Sequence, residues 1–247
     1  MPLSRGADLR AIAVIPARLA STRLPRKMLH LIAGEPLLAH VVRAVRSSPL
    51  LEEVIVATDS LEIRTFCEKH SWPVRMTSAT HRSGTERVHE VSQSVQADIY
   101  LNIQGDEPLT RPEHITALLE VMHDPMVEVG TLKTPCPEQD VRNPNAVKVV
   151  CEASGRALYF SRATIPHDRD TTSPRYYKHL GFYAYRKSTL NRFVNLPESF
   201  LERSERLEQL RFLENGISIY VGETLFDTVG VDTIEDVHRV EQILRQQ

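Results

Sequence analysis

Between Ala11 and Lys27 the chain reads AIAVIPARLASTRLPRK, a short apolar run followed by Arg18, Arg23, Arg26 and Lys27, with hydroxyls at Ser21 and Thr22. Guanidinium forks match pairs of phosphate oxygens and a lysine supplies a compact charge, so this loop suits a polyphosphate. A solvated basic turn would have the same composition. The spacing is neither GxxxxGK[ST] nor GxGxxG, which makes it a different kind of nucleotide loop. A second candidate is YLNIQGDEP (100–108), where Gln104 and Asp106 follow an apolar run. An acid at a strand tip suits Mg²⁺, which takes one or two carboxylates plus phosphate oxygens. Gly-Asp-x-Pro is equally good turn chemistry. GVDT (230–233) adds Asp232, either the N-cap of the next helix or a second carboxylate meeting Asp106 at one metal. SGTER (83–87) sets Ser83 and Thr85 at a helix start, where free N–H groups can bind a base carbonyl or a phosphate. An ordinary capped helix explains that string as well. Arg162, His179 and Tyr183 lie in SRATIPHDRD and YKHLGFYAYR; a lone histidine beside a strand commonly packs rather than catalyses. Glu208 and Gln209 read as a solvated helix face.

Strands and helices must position these groups, and the first half of the chain alternates them. AIAVI (11–15), EVIVATD (53–59), VRMT (74–77) and DIYLNIQG (98–105) read as strands. PLLAHVVRAVRSS (36–48), EIRTFCEKH (62–70) and TERVHEVSQSV (85–95) read as helices, the first with Leu37, Leu38, Val41, Val42 and Val45 at helical spacing. Ser83 or Thr85 would cap the third. This order implies a parallel sheet covered by helices, and ligands then bind at the carboxyl ends of its strands. Residues 127–187 hold short strands, EVGTLKTP, AVKVV, ALYFS and HLGFYAYR, split by Pro, Asn and Gly. They read as a mixed or antiparallel extension. SERLEQLRFLENG (204–216) is expected as one helix capped by Ser204, ISIYVGET (217–224) as a strand and IEDVHRVEQILRQ (234–246) as the last helix. The fold class is therefore α/β: a Rossmann-like, mostly parallel nucleotide-binding sheet with a smaller mixed extension. Residues 1–247 read as one domain, in which the irregular stretch 127–200 carries exposed-looking apolar strands such as FYAYR that suit an interface with a second copy.

The 247 residues are 41% hydrophobic and 25% charged, as in soluble globular proteins. A net charge of −2 argues against non-specific nucleic-acid binding. A membrane helix needs roughly 18 or more apolar residues in a row, and no such run occurs. MPLSRGADLR has no apolar signal-peptide core. Cys67, Cys136 and Cys151 form neither a CxxC site nor an even set, so they read as packing thiols in a cytoplasmic protein.

Taken together, the strings resemble the 3-deoxy-manno-octulosonate (Kdo) cytidylyltransferases, or CMP-Kdo synthetases. The match runs in order through IPARxxSTRLPxK (15–27), IVATD (55–59), MTSxxHxSGTER (76–87), NIQGDEP (102–108), NPNAVKVV (143–150), ALYFSRATIP (157–166), HLGFYAYR (179–186), LEQLRxLxxG (207–216) and GVDTxED (230–236). The first motif is also similar to the CMP-sialic acid synthetases; NPNAVKVV, ALYFSRATIP and LEQLR point to the Kdo enzymes. The first ten residues lie outside the match. The resemblance implies transfer of CMP from CTP to Kdo with release of pyrophosphate, Mg²⁺ as cofactor, a homodimer and a role in lipopolysaccharide biosynthesis, with residues 1–247 as one nucleotidyltransferase domain and 127–200 as its dimerisation and sugar-binding subdomain. Arg18, Arg23 and Lys27 then hold the triphosphate, Ser83, Thr85 and Gln104 the nucleotide, and Asp106 and Asp232 the metal. Lys27, Arg18, Asp106 and Asp232 are the implied catalytic set. Gln104, Arg162, His179, Tyr183, Glu208 and Gln209 match sugar-binding positions. The chemistry agrees: a sugar carboxylate wants a cation and a donor, and in-line attack of the anomeric hydroxyl on the α-phosphate needs positioning and charge neutralisation, with no protein nucleophile.

Two departures stand out. The family reads LPGK where this chain has LPRK, so Arg26 replaces a glycine whose value is a positive φ or close approach to phosphate. DRDTTSPRYY (168–177), just before His179, is shorter than in many relatives. The rival readings are the same reaction on 8-amino-Kdo or a sialic acid, and a non-catalytic nucleotide-binding protein on the same fold. Lys27, Asp106 and Asp232 together argue against the last.

Overall fold

A computed structural model describes residues 9–21, 23–172 and 174–246. Two compact units emerge: the described residues up to Pro112 with those from Thr228 on, and Glu113–Asp227.

The first unit starts with β1 (Ala11–Pro16), whose apolar residues are all buried. A continuous apolar run is what a parallel strand covered on both faces requires. A 3-10 turn (Lys27–Leu29) and a small hairpin, β2 (Leu31–Ile32) with β3 (Glu35–Pro36), lead into α1 (Leu37–Arg46). Leu37, Leu38, Val41, Val42 and Val45 are buried, as their spacing predicts. β4 (Glu53–Thr58), α2 (Leu61–Lys69), β5 (Val74–Met76), α3 (Gly84–Ser94) and β6 (Ile99–Asn102) follow. Ser60 caps α2 and Ser83 caps α3, each accepting a backbone N–H three residues on. The strands pair in parallel in the order β6–β1–β4–β5.

The second unit opens with α4 (Pro112–Val121) and continues through β7 (Val129–Pro135), β8 (Lys148–Cys151), β9 (Ala157–Ser161) and β10 (Tyr177–Arg186) to α5 (Lys187–Phe193). α6 (Phe200–Glu205), α7 (Gln209–Glu214) and β11 (Ile219–Glu223) complete it. β10 runs antiparallel to β7 with a register shift between Leu180 and Tyr183, β11 runs parallel to β7, and β8 pairs antiparallel with β9 and β10. The expected mixed extension is this sheet. Returning to the first unit, α8 (Ile234–Leu244) closes the chain.

Three expectations need correction. The single helix over 204–216 is two, broken at Arg206, which is left-handed (φ 54). Ser199, not Ser204, caps the first piece. The buried Arg211–Glu202 pair, with N–O distances of 2.7 and 2.5 Å, spans the break and needs the chain to fold back there. The last helix is capped by Thr233 in a reciprocal box with Asp236, so Asp232 is not its cap. Finally, FYAYR (182–186) is not an exposed apolar strand: Phe182, Ala184 and Tyr185 lie in the second unit's own core. Among the described residues no helix is long and apolar enough to cross a membrane.

Candidate active site

At the carboxyl ends of β1 and β6 the first unit holds a cavity of about 580 Å³. Two backbone features build it. Ile103 N–H donates to Val14 O (3.1 Å), carrying the chain past the end of β6 to Gln104, Gly105 and Asp106. Val231 N–H donates to Asp106 O (2.9 Å), laying the segment before α8 against that tip. Gly105 is needed for close approach: a Cβ there would sit 2.8 Å from Pro16 O and 3.1 Å from Met28 Sδ.

The centre of the site is a cluster of four charges. Lys27 Nζ donates to Asp106 Oδ2 (2.6 Å) and Asp232 Oδ1 (2.9 Å), and Arg23 Nη2 lies 2.8 Å from Asp232 Oδ2. Lys27 is 8% exposed. Burial by itself would lower the pKa of its ammonium, but the two carboxylates outweigh burial and raise it above 10.5. Lys27 is thus a fixed cation, neither base nor nucleophile. One ammonium touching both acids brings their oxygens within the sum of those two distances, well inside the roughly 8 Å that sharing one ion requires.

Arg18 is exposed on the cavity wall and makes no ion pair among the described residues, which leaves its fork for an anion. Ser83 and Gln104 line the cavity; Gln104 Nε2 donates to Asn102 Oδ1 (3.3 Å). Thr85, expected at the nucleotide, is buried in the first turn of α3 and is not part of the wall. Arg26 also leaves the polyphosphate loop: it pairs with Glu62 on α2. Its backbone is left-handed, φ 55 and ψ 33, the conformation a glycine adopts at no steric cost. Thr22 lies outside the described residues.

His81, Arg82 and Arg87 line the cavity too and were not singled out. Arg87 is 3% exposed and ties the ends of β4 and β5 together, donating to Asp59 Oδ2 (2.9 Å) after β4 and to Thr77 Oγ1 (2.6 Å) and Ser78 O (3.2 Å) after β5. Its signal was present in the sequence: an arginine on the face of α3 that also carries Val88 and Val91 is buried, and a buried guanidinium must be paired.

A family model described as Cytidylyltransferase matches residues 12–219. A curated relative from Koribacter versatilis, named 3-deoxy-manno-octulosonate cytidylyltransferase, is 65% identical over 96% of this chain and 91% of its own. A relative of the same name from Acidobacterium capsulatum is 57% identical, covering 96% and 97%. The chain belongs to the 3-deoxy-manno-octulosonate cytidylyltransferase family. A solved structure described as CMP:2-keto-3-deoxy-manno-octonic acid synthetase complexed with CTP superposes with a TM-score of 0.92 at 41% identity, over 96% of this chain and 99% of that one. A 4-diphosphocytidyl-2C-methyl-D-erythritol synthase from Anaerococcus prevotii, 16% identical over 96% of this chain and 97% of its own with a TM-score of 0.65, shares the fold.

Five of the residues expected to bind the sugar belong to the second unit. His179 is buried, its Nε2 is 2.9 Å from Thr131 Oγ1, and its ring packs on Phe160 and Tyr183. Burial pushes its pKa down to about 3, so it is neutral and offers no charge to a carboxylate. Burial, with Tyr185 and Glu208 beside it, holds the Tyr183 phenol well above its ordinary pKa, leaving it a proton donor. Gln209 is buried and Glu208 half-buried at the start of α7, so neither forms a solvated face. Arg162 braces the α6–α7 junction: Nε donates to Glu205 O (2.7 Å), Nη1 to Pro144 O (3.0 Å) and Nη2 to Arg206 O (3.4 Å). The Glu205 carboxylate lies at the same junction, accepting from Arg162 N–H (2.9 Å) and Ser161 Oγ (2.6 Å).

Proposed function

We propose that this chain transfers the CMP group from CTP to 3-deoxy-D-manno-octulosonate, giving CMP-Kdo and pyrophosphate for lipopolysaccharide biosynthesis. The observation that carries the reading is the Lys27–Asp106–Asp232 cluster, set in a cationic cavity of a chain 65% identical to a relative of that name. Arg18, Arg23 and Lys27 bind and neutralise the triphosphate as the sugar hydroxyl attacks the α-phosphorus and pyrophosphate leaves. A transfer between two anions needs positioned positive charge above all, and Lys27 supplies it in a fixed place with its proton retained.

Asp106 and Asp232 fit Mg²⁺. They converge, and among the described residues no cluster of three or more His, Cys, Asp or Glu side chains could hold a metal, so the remaining positions fall to phosphate oxygens and water, the pattern Mg²⁺ favours. When bound, Mg²⁺ supplies charge neutralisation between the reactants. We assign Gln104 to nucleotide and sugar together, and the sugar acid to Arg162, His179, Tyr183, Glu208 and Gln209, His179 acting as a neutral hydrogen-bonding group. A cytoplasmic homodimer joined through residues 127–200 is the form we expect to act.

Pyrophosphate release tests the assignment. CTP with Kdo and Mg²⁺ should react far faster than ATP, GTP or UTP, and faster than CTP with a sialic acid or 8-amino-Kdo. Equal rates with UTP would remove the cytidylyl assignment.

A further inference from the structure

The four-charge cluster is balanced: Lys27 and Arg23 against Asp106 and Asp232. One oxygen of each carboxylate, Asp106 Oδ2 and Asp232 Oδ1, is held by the same ammonium, and the other oxygen of Asp232 by Arg23. The side chain of Lys27 is 10% exposed, against 28% for Asp106 and 43% for Asp232, so the ammonium sits on the inner side of the acids. A divalent ion drawn to this pair would stand within a few ångströms of an ammonium, and like charges at that range repel, the more so beside a part-buried group.

We propose that Lys27 stands in for the divalent cation in the nucleotide-free protein, so that a metal enters only after the triphosphate has drawn Lys27 and Arg23 away. The inference rests on the reading of Asp106 and Asp232 as metal ligands and adds an order to it. A triphosphate docking on Arg18 competes for both cations of the cluster. Once they turn to phosphate, two carboxylates face each other uncompensated, and that is the state with high affinity for a divalent ion. Coupling between two ligands is reciprocal, so the metal also tightens the nucleotide.

The test is Mn²⁺ binding to the full chain without nucleotide, read as loss of the free-ion electron paramagnetic resonance signal. If Lys27 covers the acids in nine molecules of ten or more, Lys27→Met should bind Mn²⁺ about tenfold tighter than the parent protein or better. Lys27→Arg, which keeps a cation, should stay weak, and adding Asp106→Asn to Lys27→Met should remove the gain. Parent protein binding Mn²⁺ as tightly as Lys27→Met, with Asp106→Asn abolishing both, would overturn the order but keep the ligands. Mn²⁺ binding that ignores Asp106→Asn in both backgrounds would overturn the ligand assignment itself. Should Lys27→Met not fold by circular dichroism, Lys27→Gln takes its place, and tight nucleotide-free binding by the parent protein alone remains a refutation.

Discussion

At the scale of single residues the proposed chemistry centres on Lys27. Its ammonium is buried, charged and held between two acids, which fits a group that meets developing negative charge. Lys27→Ala should lower kcat by about 10²-fold or more, the scale for losing one electrostatic donor. A variant with only a raised KM for CTP would mean that the lysine merely binds. Arg26 is the opposite case. A left-handed non-glycine residue costs roughly 1–2 kcal/mol, and its exposed pair with Glu62 returns at most about 1 kcal/mol. Arg26→Gly should therefore leave the thermal midpoint unchanged or slightly raised. A loss above about 2 kcal/mol would show that the Glu62 contact holds the phosphate loop in place.

Among the elements, those that carry the cavity were legible because their signals are local. β1 is a continuous apolar run, α1 has helical spacing, and Ser83 precedes α3 as a cap. What escaped were features set by distant partners. The break at Arg206 depends on Glu202 meeting Arg211 across it, and a leucine spacing that runs through the break hides it. Thr233 out-competed Asp232 as a cap because Asp236 stands three residues after it; once Thr233 takes that task, Asp232 is left to face Lys27. The burial of His179 was invisible because its strand alternates polar and apolar residues while both faces of β10 are covered. That burial has a pH consequence. The folded chain refuses a proton down to about pH 3, whereas the unfolded histidine takes one near its ordinary pKa of 6.5. Between those values the unfolded state binds more protons, so this contribution to stability is intact above pH 6.5 and is lost as the pH falls toward 3. Urea midpoints at pH 7 and pH 5 should differ less for His179→Gln than for the parent chain. Identical pH slopes would show that His179 is not held neutral.

In the whole molecule the charged cavity lies in the first unit, while the five residues proposed for the sugar belong to the second, on β10, just after β9 and at the start of α7. The expected homodimer no longer draws support from FYAYR, which the fold buries. It rests on the family resemblance, and light scattering at micromolar concentration should give twice the chain mass; a monomer would remove it. Asp106 and Asp232 are far apart in sequence yet share one ammonium, and the central claim is that they act as one centre. Measuring kcat/KM for Asp106→Asn, Asp232→Asn and the double variant tests it most directly. Each single change should remove most activity and the double variant should be little worse than either, because groups that work as a unit are strongly non-additive. Losses that multiply in the double variant would contradict the claim, as would an Asp232→Asn protein with nearly full activity.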